Sequence, residues 1–375
     1  MYKTDILIIG AGVIGLAVAE ELSALSKSII VVEKNESFGR ETSSRNSEVI
    51  HGGIYYPHDS LKTRMCVKGR ELLYEFCEKN NIAHKKTGKL IVATEKEEIG
   101  AIESLFSNAC KNGVPGLKIM DREEIKKMEP DIFGITALHS PETGIVDSHS
   151  LMQRLIGKAK ANGVTMAYNS EVMAIEKDKD IYNVKVRDAN ETTTLAARVV
   201  INCAGLDSDT IAEMVGIDIR ECKYELQYCK GQYFRVNQRK AGRVKRLIYP
   251  VPHPKAGGLG IHATPDLGGG LRLGPDHEYL KNRIKDYSVD ESRKKEFCAS
   301  VKRFMPSIEE GDIFTDTAGI RPKLRDYGSD FSDFIIKEET ASGFPGLINL
   351  IGIESPGLTA SLAIAEHVRQ IAFPA

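Results

Sequence analysis

Residues 5–22 read DILIIGAGVIGLAVAEEL, and residues 29–33 read IIVVE. Asp5 to Ile9 is a short isoleucine-rich run of the kind that forms a parallel strand buried on both faces. It ends in Gly10-Ala11-Gly12-Val13-Ile14-Gly15, a G-x-G-x-x-G turn. The helical pattern that follows, Leu16 to Leu25, keeps Leu16, Ala19, Leu22 and Leu25 on one face, with Glu20 and Glu21 opposite. A second apolar strand then ends at Glu33, 18 residues beyond Gly15, where a carboxylate can accept hydrogen bonds from a ribose hydroxyl. Glycines in such a turn let a pyrophosphate approach the backbone and rest on the positive end of the helix. The pattern predicts a Rossmann-like dinucleotide site at the N-terminal end of an α/β domain.

Working outward, the chain has 375 residues, of which 42% are hydrophobic, enough for a large core or two interleaved domains. Its 51 basic and 52 acidic side chains nearly cancel, so no overall field draws it to nucleic acid or an anionic membrane. The seven cysteines are scattered and never spaced C-x-x-C, which argues against a disulfide framework or a zinc site and for a reducing, cytoplasmic compartment. The longest uncharged N-terminal run, Ile6 to Ala19, is 14 residues, short of the ~20 that cross a bilayer. No metal site is expected.

The fingerprint alone does not separate NAD from FAD. A second nucleotide motif is not found: Gly257-Gly258-Leu259-Gly260 and Gly268-Gly269-Gly270 lack the flanking strand and helix patterns. Three segments favour FAD. Thr42-Ser43-Ser44-Arg45-Asn46-Ser47 offers polar groups to the phosphates of a long cofactor, close after Glu33 and Lys34. Mid-chain, Val164 to Ala174, Tyr182 to Val186 and Leu195 to Asn202 read as three strands, the last ending in the small-residue turn Cys203-Ala204-Gly205. At the C-terminus a strand from Leu347 leads to Gly352-Ile353-Glu354-Ser355-Pro356-Gly357-Leu358-Thr359 and a helix with Pro356 in its first turn, running through Ala360 to Arg369.

Taken together, DILIIGAGVIGLAVA…VVEK, NCAG and GIESPGLTAS resemble the D-amino acid oxidase-like branch of FAD-dependent oxidoreductases over essentially the whole chain. The resemblance implies a Rossmann-like FAD domain built from about 1–80, 145–220 and 316–375. It also implies a mainly antiparallel-sheet substrate domain from about 81–144 and 221–315. It places Val172, Gly319, Arg321, Gly352 and the stretch Ser355 to Thr359 at the cofactor beside the glycines already named. The final helix would direct its N-terminus at the flavin, where negative charge accumulates on reduction.

RNSEVIHGGIYYP, residues 45–57, is then expected to form a flavin-facing wall, with His51 at the ring edge and backbone passing close at Gly52 and Gly53. Within the family it is most similar to the N-S-x-V-I-H-x-G-I-Y-Y stretch of L-2-hydroxyglutarate dehydrogenases. Glycerol-3-phosphate dehydrogenases share only the histidine and glycines. Lys230 to Phe234, Tyr249 to Pro252, Gly258 to Thr264, Leu273 to Asp276 and Ala318 to Leu324 resemble the same branch.

The resemblance implies oxidation of L-2-hydroxyglutarate to 2-oxoglutarate by hydride transfer to flavin N5. The absence of a second nucleotide motif implies an acceptor other than NAD(P), whether a quinone, an electron-transfer protein or oxygen; the resemblance favours a membrane quinone, with the protein peripheral at the inner membrane. A 2-hydroxy acid needs a cation for its carboxylate, and the planar fork of Arg321 suits that task. His51 or His262 would take the hydroxyl proton, imidazole having an ordinary pKa of ~6.5. Lys230, Lys323 and Arg272 are candidates for a distal carboxylate, and Tyr55, Tyr56 and Tyr249 for hydrogen bonds to substrate oxygens. Oxidation of an amino acid or of glycerol 3-phosphate, or a flavin-binding assembly role without turnover, are the alternatives.

Overall fold

The computed structural model describes residues 2–188, 191–252, 260–325, 328 and 331–374. By its internal contacts the chain divides into two units: residues 1–44, 148–228 and 321–375, and residues 45–147 and 229–320.

In the first unit the opening run forms the strand Tyr2–Ile9, whose Ile6, Leu7 and Ile8 are fully buried. It pairs in parallel with Ile29–Val32 on one side and Glu191–Asn202 on the other. Outer parallel pairs join Ile29–Val32 to Thr165–Ala167 and Glu191–Asn202 to Phe344–Ile351, while Ser170–Asp178 and Ile181–Asp188 continue the sheet antiparallel. The result is an eight-stranded mixed sheet. The helix Val13–Leu22 packs against Gly357–Ala372 and Ser148–Ala161. It ends at Leu22, so Leu25 lies beyond it.

The stretch 164–174, expected as one strand, is two: Thr165–Ala167 and Ser170–Asp178. Asn169, with φ at +52°, breaks it, and asparagine is one of the few side chains that tolerates that left-handed conformation. Pro356 caps the final helix rather than entering it, and the helix begins at Gly357.

The second unit is built on a nine-stranded sheet that is mostly antiparallel. Lys89–Ala93 lies inside it, antiparallel to Thr136–Ser140 and parallel to Leu247–Pro250, with Lys89 opposite Leu247 and Ile91 opposite Tyr249. Alternation along this strand divides the core. Ile91, Ala93, Leu247 and Tyr249 pack with Val49, Ile54, Ile102 and Val114, whereas Leu90, Val92 and Ile248 join Phe234, Phe297 and Leu271. Residues 45–80, grouped by sequence with the nucleotide segments, pack here. Their helix Leu61–Lys79 donates from Cys66 and Arg70 to the 51–52 backbone, and from Tyr74 to the Glu142 carbonyl.

Candidate active site

The cofactor-binding end of the first unit follows from the glycine turn. Gly10 has φ +102°, and a Cβ there would sit 2.5 Å from the Cys203 carbonyl oxygen. A Cβ at Gly15 would sit 2.0 Å from the carbonyl oxygen of Gly10. These two glycines are therefore demanded by the fold's own packing. At Gly12 the nearest atom is Ser43 Oγ, 3.0 Å from the notional Cβ. That hydroxyl accepts from the Val13 amide at 2.9 Å. Gly12 itself offers no capping side chain, and the first turn holds no acid, so no carboxylate of the helix competes with an anion at its N-terminus. Glu33 is buried; its Oε2 accepts from the Ala11 amide at 2.8 Å and its Oε1 from the Asn35 amide at 2.9 Å. Oε2 keeps a lone pair for a ribose hydroxyl.

The turn after the mid-chain strand is set by a buried amide network. Asn202 accepts from the Ala204 amide at 3.2 Å and donates to the Ser208 carbonyl at 2.7 Å and to Asn349 Oδ1 at 2.8 Å. Asn349 donates in turn to Glu339 at 3.0 Å. The strands ending at Asn202 and Ile351 are thereby locked in register at the point where Gly205 takes φ +57°. Val172 is buried at an irregularity in its strand. A Cβ at Gly352 would lie 2.7 Å from Leu324 Cγ. The helix Gly357–Ala372, whose first turn holds Leu358 and Thr359, also lacks an acid there. Lys34 is paired with Asp207 and, at 3.0 Å, with Glu41. A long phosphate-containing cofactor fits these residues: the turn carries no side chain at Gly10, Gly12 or Gly15, and two helix N-termini carry no acid in their first turns.

In the second unit, the His51–Tyr56 loop is held from behind by side chains. Cys66 Sγ donates to the His51 carbonyl at 3.6 Å, and the buried Arg70 to that of Gly52 at 3.3 Å. Asn112 donates to Gly53 and Tyr56, and Asn108 to Ile54 and Tyr56, at 2.8–3.0 Å. The glycines have a packing reason. A Cβ at Gly52 would meet Ser140 Oγ at 3.1 Å, and Gly53, at φ +94°, would put one 2.8 Å from Val67. At both positions the space a Cβ would take is already occupied by the unit's own side chains.

Around this loop stands an ionisable cluster. Lys89, only 1% exposed, holds its Nζ 3.7 Å from the centre of the Tyr249 ring and 5.4 Å from that of Tyr55. His262 is buried and stacks on Tyr249 with centroids 3.4 Å apart. Burial, and then the nearby Lys89 charge, pull His51 down to about 3, so the ordinary imidazole value anticipated from sequence does not hold here. Burial pushes the phenols of Tyr55 and Tyr249 well above their usual range and the Cys66 thiol up to about 12. The Tyr55 hydroxyl is buried with no hydrogen-bond partner among the described residues.

The three cations anticipated for a distal carboxylate are each already facing an acid. Lys230 contacts Asp286 at 2.8 Å, Arg272 contacts Asp316 at 2.7 Å, and Lys323 contacts Glu354 at 3.6 Å. Arg321 lies half-buried in the strand Ile313–Leu324. In the same strand a Cβ at Gly319 would stand 2.0 Å from the Arg45 carbonyl oxygen. Several members of the polar run are engaged with protein. Ser44 bonds the Gly39 carbonyl, Arg45 lies 4.1 Å over the Tyr287 ring, Asn46 accepts from the Glu48 amide at 2.8 Å, and Ser47 meets the Tyr233 hydroxyl at 3.0 Å. Gly257, Gly258 and Leu259 lie outside the described residues. Sequence reasoning passes over Lys89. Its signal is a lysine in phase with the inward-facing Ile91 and Ala93 of an otherwise apolar strand.

The chain is 40% identical to the mitochondrial L-2-hydroxyglutarate dehydrogenase of Arabidopsis thaliana, spanning 98% of this chain and 83% of that protein. It is 30% identical to the L-2-hydroxyglutarate dehydrogenase of Indibacter alkaliphilus over 97% of each. Among solved structures it is similar to the FAD-bound L-alpha-glycerophosphate oxidase of Mycoplasma pneumoniae, with TM-score 0.88, 28% identity, and coverage of 99% of this chain and 95% of that one. The glycine oxidase of Geobacillus kaustophilus shares the fold at TM-score 0.80, with 18% identity and coverage of 99% and 95%. A family profile described as FAD dependent oxidoreductase matches residues 5–371, so the segment it covers runs from the first strand of the glycine turn into the last helix. The chain belongs to that FAD dependent oxidoreductase family.

Proposed function

We propose that this protein oxidises L-2-hydroxyglutarate to 2-oxoglutarate and passes the electrons to an acceptor other than NAD(P). The observation that carries the substrate is the 40% identity, over 98% of the chain, to a relative named for that reaction. In this reading FAD is carried by segments of about 1–80, 145–220 and 316–375, and substrate by about 81–144 and 221–315. Bound FAD supplies the two-electron acceptor for the Cα–H bond.

The chain's own residues do the rest. Arg321 holds the C1 carboxylate through its planar fork, fixing the orientation of Cα. His51 takes the hydroxyl proton, and His262, stacked on Tyr249, is the next candidate. A neutral imidazole keeps its lone pair, and His51 is neutral well below physiological pH. Its weakness as a base is relieved when the substrate's negative charge offsets Lys89, one of the two causes that depress it. Tyr55 and Tyr249 stay protonated and can only donate or accept as neutral phenols.

The acceptor proposed is a membrane quinone, reached by peripheral association; among the described residues no helix is long and apolar enough to cross a membrane. A second reading, oxidation of a glycerol phosphate, is favoured by the TM-score of 0.88 to the L-alpha-glycerophosphate oxidase. Anaerobic mixing of the holoenzyme with L-2-hydroxyglutarate, glycerol 3-phosphate and a panel of amino acids separates the readings. The true substrate bleaches the flavin absorbance; failure of L-2-hydroxyglutarate to do so overturns the first.

A further inference from the structure

We infer that Lys89, together with the Tyr55 hydroxyl, holds the distal carboxylate of a dicarboxylic substrate and so sets the preference for dicarboxylates over monocarboxylates. The inference rests on the 2-hydroxy acid reading above and names a residue that sequence did not. Among the described residues no carboxylate pairs with Lys89, although it is buried and its ammonium is packed against two aromatic rings. The other groups of the cluster cannot supply the missing negative charge. Tyr55, Tyr249 and Cys66 are all held protonated by burial, and His51 is neutral. Burial has accordingly drawn Lys89 down to about 7, the mark of a cation without an anion beside it.

An anionic ligand resolves that deficit. It would restore full charge to Lys89 and gain a charge-assisted hydrogen bond where water is largely excluded. The Tyr55 hydroxyl, buried and without a hydrogen-bond partner among the described residues, supplies a neutral donor to the same anion. The alternatives are weaker on their own terms, because Lys230, Arg272 and Lys323 would each have to leave an acid to bind a ligand. With Arg321 assigned to the C1 carboxylate, the group left for Lys89 is the distal one.

The test compares wild-type holoenzyme with Lys89→Met and Lys89→Arg on L-2-hydroxyglutarate and on L-2-hydroxyvalerate, which replaces the distal carboxylate with a methyl group. Turnover is followed with a dye acceptor, and equilibrium binding of glutarate and of valerate is measured calorimetrically. Lys89→Met should raise KM for L-2-hydroxyglutarate by on the order of 10²-fold, with a smaller change in kcat. KM for L-2-hydroxyvalerate should stay within about threefold, and Lys89→Arg should recover part of the dicarboxylate preference. Equal losses on both substrates, or none on either, would overturn the assignment. If wild-type flavin is not bleached by L-2-hydroxyglutarate, the functional reading fails by itself. Lys89 is then judged on glutarate binding alone: weakening by ~10-fold or more in Lys89→Met supports the site, and unchanged binding removes it.

Discussion

A lysine buried without a counter-ion should cost stability, and removing it should make the protein more stable. Burial moves the Lys89 ammonium from 10.5 to about 7. At ~1.4 kcal/mol per tenfold change in a proton equilibrium, that difference amounts to about 5 kcal/mol at pH 7 and below. Lys89→Met keeps the stem's volume but forfeits the contacts of the ammonium with Tyr249 and Tyr55, on the order of 1 kcal/mol each. The net expectation is a gain of roughly 2–4 kcal/mol near pH 6. The pH dependence has a definite sign. Between about 7 and 10.5 the unfolded chain holds a proton on this lysine that the native protein has released, so wild-type stability rises with pH across that window. The advantage of Lys89→Met is therefore complete below pH 7 and nearly gone by pH 10. Urea unfolding followed by circular dichroism at pH 6, 8 and 9.5, with free FAD held constant because bound cofactor adds its own stabilisation, measures this directly. A variant no more stable than wild type at pH 6, or an advantage that does not shrink toward pH 9.5, would refute the reasoning. Lys89→Arg, which cannot shed its charge, should be the least stable of the three at pH 9.5.

Gly10→Ala forces a side chain onto φ +102° and within 2.5 Å of the Cys203 carbonyl; it should be purified with little or no flavin absorbance and a lower Tm. Arg321→Ala should stay yellow but lose ~2 to 4 kcal/mol of transition-state binding, read as on the order of 10²- to 10³-fold in kcat/KM. With His51 pulled down to about 3, the acidic limb of kcat/KM attributable to it should lie below pH 5 in the wild type. His51→Ala should lower kcat strongly at pH 7, and near-normal turnover in that variant would pass the proton-accepting role to His262. Substrate-dependent reduction of added NAD by the holoenzyme should be absent; robust NADH absorbance would count against a non-nicotinamide acceptor.

What the sequence carries plainly is whatever a local pattern enforces. Leu16, Ala19 and Leu22 fall on one buried helical face, and Ile6 to Ile9 is buried on both faces of its sheet, because burial period and chain geometry are tied residue by residue. Gly10 and Gly15 are legible for the same reason, since the turn between that strand and helix leaves no space for a Cβ. Pairing across the chain is less visible. The break at Asn169 rests on one residue's tolerance of positive φ, which an apolar run conceals.

The histidine loop is harder still, because an absent side chain says that something is close without saying what. Gly52 and Gly53 read as a place where a flavin approaches, and packing by Ser140, Thr143 and Val67 is by itself a second reason for the missing Cβ atoms. Charges mislead in a related way. Lys230 and Lys323 stand in stretches that resemble the family's own, Arg272 stands beside one, and each is matched by an acid distant in sequence, the nearest being Glu354 for Lys323. Lys89 carries no such motif and becomes conspicuous only when Tyr249, Tyr55, Cys66 and His51 close around it with no anion among them. A charge that folding leaves uncompensated is visible only after every neighbour has been placed, which is why the residue most telling of the substrate is one the sequence does not announce.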